Sequence, residues 1–237
     1  GRLCDLLHLI EETGQWPPSV AIGLISPIPK DDGGLGAKDL RPITVMSVVY
    51  RAWAATRMTE VTEWQQSWIT PNIASYRPSM GCHDLWRGQA LEIEHALVTG
   101  QDRGGVSLDF AKAFDSLPVE IVFAIARQMG MSEAILAPLE AMHRQLVRRF
   151  KVGPMVGEGF QSTNGILQGC PLSVGLLNCF IQVWACAVAV EVPGACPKAY
   201  ADDVSATADD PRDVKKVVKL TGEFALLTGV RVNARKS

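Results

Sequence analysis

Two aspartates, Asp202 and Asp203, stand side by side between short, largely apolar stretches, Lys198-Ala-Tyr-Ala before them and Val-Ser-Ala-Thr after. That order reads as strand, acidic turn, strand. At about 4 Å and an effective dielectric of about 20, two like charges repel by roughly 4 kcal/mol, so the fold has to leave this turn open to solvent or to something positive. Asp-Asp in a turn is often no more than a solvated turn. A third carboxylate gives the pair a further meaning. Gly104 to Phe110 is apolar at alternate positions and bounded by glycine, and Asp109 ends it just before a helix, where side chains project from a sheet edge into a cleft. Taken alone, Asp109 also reads as a helix cap. Three carboxylates from neighbouring strands make a site for two magnesium ions, which prefer a few carboxylates plus waters and substrate phosphates.

The rest of the chain supports a sheet backed by helices. Leu3, Leu6, Leu7 and Ile10 follow helical spacing, Gly14, Pro17 and Pro18 end that helix, and the apolar run Val20 to Ile28 follows as a strand. Asp31 to Gly36 reads as the loop at the tip of a hairpin; its glycines lack the strand-to-helix context of a dinucleotide fingerprint. Helices are predicted over about Ser47–Trp64 and His83–Val98, then Val119–Met129 and Ser132–Val147, with a hairpin over Phe150–Phe160 turned at Gly153-Pro154 or Gly157. A last helix from Pro211 to about Leu227 closes at Gly229, and Val230-Arg231-Val232 begins a further strand. No internal repeat appears, the order of strands and helices argues for a sheet backed by helices, and helices segregated from that sheet make the class α+β.

Composition narrows the options. The 237 residues are 47% hydrophobic and 20% charged, which is a folded chain. The formal charge of -2 carries no global basic footprint of the kind a phosphate-gripping protein usually shows. Local basic runs at Arg148-Arg149-Phe150-Lys151, Lys215-Lys216 and Arg231 to Lys236 soften that objection, as does the subtraction made by the carboxylates. Six cysteines without any Cys-x-x-Cys pair predict free thiols, no zinc site and a reducing, intracellular compartment. Ser173 to Val190 has no charged residue and reaches membrane-spanning length. Asn178 and Gln182 in its middle favour a helix buried in the core, with no membrane partner. A start at Gly1 and a stop at Ser237, just after a basic run, read as an internal piece of a longer polypeptide.

Several segments together resemble reverse transcriptases, especially those of non-LTR retrotransposons and group II introns. They are Pro29-Lys30, Leu40-Arg-Pro-Ile-Thr, Arg77-Pro-Ser-Met-Gly-Cys-His-Asp, Ser107-Leu-Asp-Phe-Ala-Lys-Ala-Phe-Asp, Gly165-Ile-Leu-Gln-Gly-Cys-Pro-Leu-Ser, Tyr200-Ala-Asp-Asp and Gly229-Val-Arg-Val-Asn-Ala-Arg-Lys-Ser. The Tyr-x-Asp-Asp box is short, but it lies about ninety residues after an Asp-x-x-x-x-Phe box with the Gln-Gly box between them. The resemblance implies a polymerase palm, an antiparallel sheet backed by helices, over mainly residues 101–237. It implies a fingers subdomain over mainly 1–100, with fingers elements interleaved around 120–170, and no thumb within the chain.

The resemblance also assigns roles. Asp109, Asp202 and Asp203 become the carboxylates for two Mg2+ ions, with Mn2+ as a substitute, and the primer 3' hydroxyl becomes the nucleophile. Lys30 and Arg41 contact the triphosphate of the incoming deoxynucleotide, and Phe114 lies under its sugar. Gln168 and Gly169 line the nucleotide pocket and template strand, and Lys236 stands near the leaving pyrophosphate. The partners implied are an RNA template, a DNA primer and deoxynucleoside triphosphates, together with the thumb and flanking domains of the parent polypeptide. Surface charge is the ordinary reading of Lys30 and Arg41, and a core aromatic that of Phe114. Val174 stands where family members often have a second proline. Two alternatives stay open on the residues alone: an RNA-directed RNA polymerase, against which a bulky Phe114 argues, and a decayed palm that only binds nucleic acid or a partner.

Overall fold

The computed structural model describes residues 1–30, 36 and 39–237. The hairpin-tip loop expected at Asp31 to Gly36 lies, apart from Gly36, outside the described residues. Two sheets and eight helices follow one another along the described chain: α1 (Arg2–Thr13), β1 (Ile22–Pro29), β2 (Leu40–Val45), α2 (Val48–Gln66), α3 (Cys82–Thr99), β3 (Gly104–Asp109), α4 (Ala113–Ser116), α5 (Val119–Gln128), α6 (Glu133–Gln145), β4 (Val147–Val152), β5 (Met155–Val156), α7 (Ser173–Glu191), β6 (Ala195–Tyr200), β7 (Asp203–Ala208) and α8 (Pro211–Thr228).

The sheets have orders β2-β1-β4-β5 and β3-β7-β6. The second is wholly antiparallel, as the strand-turn-strand reading requires. In the first, β1 pairs with β4 in parallel, Ile22 opposite Val147, across the whole middle of the chain. The predicted helix ending at Val147 stops at Gln145, and the strand predicted from Phe150 begins at Val147. Residues 147–152 pair with β1 rather than extend α6, a tertiary preference that local spacing does not reveal. The strand expected at Val230–Val232 is reduced to one bridge, Val232 with Phe110.

The core lies between the three-stranded sheet and the helices. Val204, Ala206, Ala208, Leu108 and Ala199 point inward, on the side where α7 and α8 pack. The apolar helix α7 is enclosed by α2, α5, α8 and β6, and its two central amides are satisfied there. Asn178 accepts from the Ser75 hydroxyl at 2.7 Å and donates to the Ser75 carbonyl at 3.0 Å. Gln182 accepts from the Thr70 N–H at 3.0 Å. These bonds anchor the stretch after α2, where Ile73 bridges to Ala199 and adds a short fourth edge to the sheet. All six cysteines are free.

His143 is buried on α6, and its Nδ1 lies 2.8 Å from the Leu139 carbonyl, which makes it the donor and leaves a bare Nε2 without a partner. Burial pushes its pKa down to about 4. An unfolded chain binds this proton near the ordinary value of about 6.5, so the stability held above that pH is lost as pH falls from there toward the folded value. Urea midpoints measured at pH 7 and pH 5 are expected to drop in the native sequence and to drop less in His143→Phe, which keeps the edge contact with Phe123. Equal drops in both would place the acid sensitivity elsewhere.

Candidate active site

The alternation of β3 decides where Asp109 points. Val106 and Leu108 face the core, so Gly105, Ser107 and Asp109 take the opposite face. Cross-strand partners share a face, and the register sets Asp109 opposite Asp203, Ser107 opposite Ser205 and Gly105 opposite Thr207. On the other side of β7, Tyr200 is opposite Asp203 and Lys198 opposite Ser205. One end of the open face therefore carries the row Asp109, Asp203, Tyr200. Small residues run away from it beneath α3. An open cleft of about 580 Å3 follows that line, walled by Leu85, Trp86 and Gln89 of α3 and floored by Gly105, Ser107 and Ser205.

Helix α3 is fastened over the far end of this face by charge. Lys198 is buried, and its Nζ reaches both oxygens of Glu92 at 2.6 Å and the Thr207 hydroxyl at 3.2 Å. Arg103 joins Glu92 to Asp209, both at 2.6 Å. Burial alone would raise the Glu92 carboxyl; hydrogen bonds from Lys198, Arg103 and Thr207 outweigh it and hold the group below its ordinary value.

The turn between β6 and β7 consists of Ala201 and Asp202, with Ala201 at φ 54. A positive φ at the first of two central positions is the pattern of a type II′ turn, which alanine enters at a cost that glycine avoids. Asp202 is half-buried there. Burial pushes its carboxyl up first, and the negative charges of Asp203 and Asp109 push in the same direction, partly offset by its own backbone hydrogen bond and by Lys236. The structure thus gathers Asp109, Asp202, Asp203 and Lys236 at one end of the sheet.

The remaining candidates form two further groups. Phe114 is half-buried on α4, and its carbonyl accepts the Ile166 N–H at 2.7 Å. Gln168 donates through Nε2 to Asp115 at 3.0 Å, and its carbonyl accepts the Thr44 N–H at 2.8 Å. The loop holding Gln168 and Gly169 therefore bonds both to α4 and to β2. Gly169 does permit a close backbone approach, and within the protein its partner is β2: a Cβ there would lie 2.5 Å from the Thr44 carbonyl oxygen. Lys30 and Arg41 belong to the β1–β2 hairpin on the other sheet. Arg41 is exposed opposite Ile28, and the Lys30 N–H donates to the Asp39 carbonyl at 2.8 Å.

Sequence reading assigned no task to Asn233, whose amide donates to Asp109 Oδ2 at 2.8 Å. The box containing it was visible; its contact 124 residues back along the chain was not.

Among the described residues, no three Asp, Glu, His or Cys side chains form a group able to hold a metal ion as they stand. The donor set still fits a hard divalent cation, because carboxylate oxygens at an open end of the sheet suit an ion that keeps waters and takes further oxygens from a substrate. The Asp202 carboxyl, destabilised by burial and then by its two acidic neighbours, is a group that a cation would relieve.

A family model described as Reverse transcriptase (RNA-dependent DNA polymerase) matches residues 28–237. The chain belongs to the reverse transcriptase family. Its relatives include proteins of two transposable elements. It is 25% identical over 245 residues to a retrovirus-related Pol polyprotein from the type-2 retrotransposable element R2DM of Drosophila melanogaster, covering 100% of the chain and 23% of that protein. It is 24% identical over 240 residues to the transposon TX1 uncharacterized 149 kDa protein of Xenopus laevis, covering 94% of the chain and 18% of that protein. The chain thus spans a quarter or less of these relatives.

Among solved structures, apo telomerase from Candida tropicalis truncated from its C-terminal domain matches with a TM-score of 0.70 at 12% identity, over 98% of this chain and 53% of that one. The same organism's telomerase in complex with a TWJ fragment of telomeric RNA also gives 0.70 at 12% identity, over 92% of this chain and 40% of that one. At that identity the likeness is one of fold, and it fits the α+β reading. Reverse transcriptases are nucleotidyltransferases that make DNA on RNA and work with divalent cations.

Proposed function

We propose that this chain is the nucleotidyl-transfer core of a retroelement's RNA-directed DNA polymerase, extending a DNA primer on an RNA template with deoxynucleoside triphosphates. The observation that carries the reading is the opposition of Asp109 and Asp203 across the β3–β7 ladder with Asp202 beside them in the turn. In this reading the three-stranded sheet is the palm and the four-stranded sheet belongs to the fingers.

Asp109, Asp202 and Asp203 are the residues to hold Mg2+, for which Mn2+ can substitute. A cation held there would supply a lowered pKa for the primer hydroxyl and charge balance for the triphosphate and leaving oxygens. The protein's own contribution is placement. Lys30 supplies a point charge and Arg41 a planar fork toward the triphosphate. Gln168 and Gly169 hold the strand that carries Arg41 against α4, which carries Phe114. Lys236, whose charge already reaches Asp202, stands where leaving pyrophosphate would need a cation.

The test is primer extension by the natural polypeptide carrying residues 1–237, on an RNA template and a DNA template of one sequence, with and without Mg2+. Magnesium-dependent extension on RNA supports the reading. A folded protein that binds the template and extends nothing reduces it to nucleic-acid binding. Phe114→Ala gives a finer check. If the ring lies under the sugar, removing it admits ribonucleotides, and the deoxy-over-ribo ratio of kcat/KM falls by about tenfold or more. An unchanged ratio in a folded variant makes Phe114 a packing residue only.

A further inference from the structure

Asn233 meets Asp109 twice. Its backbone N–H donates to the Asp109 carbonyl at 2.8 Å, and its side-chain Nδ2 donates to Asp109 Oδ2 at 2.8 Å. The orientation of the amide is fixed from its other side, because Asn233 Oδ1 accepts the Arg235 N–H at 3.3 Å, which commits the oxygen to the chain and turns the NH2 toward the carboxylate.

The segment around Asn233 is itself tied down. The Ala111 N–H donates to the Arg231 carbonyl at 2.7 Å, and Phe110 bridges to Val232. The Asn233 carbonyl accepts the N–H groups of Lys236 at 3.0 Å and Ser237 at 3.1 Å. It also accepts the Ser237 hydroxyl at 3.0 Å, and that hydroxyl in turn accepts the Asp109 N–H at 3.3 Å.

A neutral amide is the donor such a place calls for. Lysine or arginine would neutralise Asp109 and compete with a cation for it, and either would add a mobile charge. The amide binds one carboxylate oxygen, fixes the rotamer, leaves the charge and the second oxygen in place, and does not titrate. We propose that Asn233 is a positioning residue that presents Asp109 to the divalent-cation site, an inference resting on the polymerase reading above.

Two variants of the natural polypeptide test it, Asn233→Ala and Asn233→Asp. Binding of Mn2+, read from the paramagnetic resonance of the free ion with no nucleic acid present, is expected to weaken by about 10- to 100-fold in Asn233→Ala. The Mg2+ concentration giving half-maximal extension should rise with it, while KM for the deoxynucleotide stays within about twofold, as loss of an interaction remote from the nucleotide predicts. Asn233→Asp keeps every backbone bond and the acceptor for Arg235, so the segment stays docked, yet it sets a second carboxylate against Asp109. Extension should fall by at least about tenfold while the protein stays folded, its melting temperature lowered only by the added repulsion between the two carboxylates.

Native Mn2+ affinity in Asn233→Ala, or native extension by Asn233→Asp, overturns the proposal and leaves Asn233 as a tack for the chain segment. The two readings fail separately. If the native polypeptide extends nothing on RNA while Asn233→Ala still loses Mn2+, the polymerase reading falls and the positioning role stands. If it extends and both variants match it, the positioning role falls alone.

Discussion

Replacing Asp202 by asparagine is expected to lower primer extension by on the order of a thousandfold and, in protein free of divalent cation, to raise the melting temperature. The two effects share one cause. Burial raises the Asp202 carboxyl pKa, and the neighbouring charges of Asp203 and Asp109 raise it further. A carboxyl whose folded pKa lies above its unfolded one contributes stability that is full below the unfolded value and is lost as pH rises through the folded value. At neutral pH the ionised group is therefore a cost to the folded state, and asparagine removes it. The gain should shrink as pH is lowered and Asp202 takes up its proton. Magnesium should raise the melting temperature of the native protein more than that of the variant, since ligand stabilisation scales with affinity for the folded state. A variant that melts lower than the native protein at neutral pH without cation would show that the carboxylate holds the turn instead of straining it. Retained extension would remove Asp202 from the cation site.

Gly169→Ala is expected to destabilise the fold by about 2–4 kcal/mol, seen as a lower urea midpoint, and to reduce extension beyond what the unfolded fraction explains. Gly169 has φ 113, and a Cβ there would stand 2.5 Å from the Thr44 carbonyl oxygen, a backbone atom that no side-chain rotation can move aside. The same contact is bonded, since the Thr44 N–H donates to the Gln168 carbonyl at 2.8 Å. Relief therefore means pushing β2 away from the loop, and β2 carries Arg41. Gly153→Ala is the control. Its φ is also positive, at 59, but nothing lies within 4 Å of the added carbon, so it should cost only the strain of the backbone angle, about 1 kcal/mol. Similar losses in the two variants would mean that the close approach to Thr44 is unimportant.

Local pattern made much of this fold readable. Alternation in Gly104–Phe110 placed Asp109 at a sheet edge, and the Asp202-Asp203 doublet announced the turn facing it. Helices with clear stops, such as Pro211–Thr228 and Ser173–Glu191, came within a residue or two of their observed ends. What stayed hidden depends on distant partners. Val147–Val152 becomes a strand because β1 offers a parallel edge, and nothing within those residues says so. Lys198 looked like a polar residue on a strand; it is buried because Glu92, 106 residues earlier, comes over it on α3. Asn233 sat in a recognised box, but its value lies in a hydrogen bond to a carboxylate that only the folded chain brings near.

The parallel pairing of Ile22 with Val147 also bears on how the protein is made and how it can be cut. When β1 leaves the ribosome, its partner β4 has not been synthesised, and at bacterial or eukaryotic elongation speeds it follows on the order of ten seconds later. Over that interval the nascent chain carries an open strand edge with Ile22, Leu24 and Ile25 upon it, the kind of template that recruits other chains. A fragment ending near residue 100 would keep that edge permanently bare, whereas one that runs past Val152 can close it.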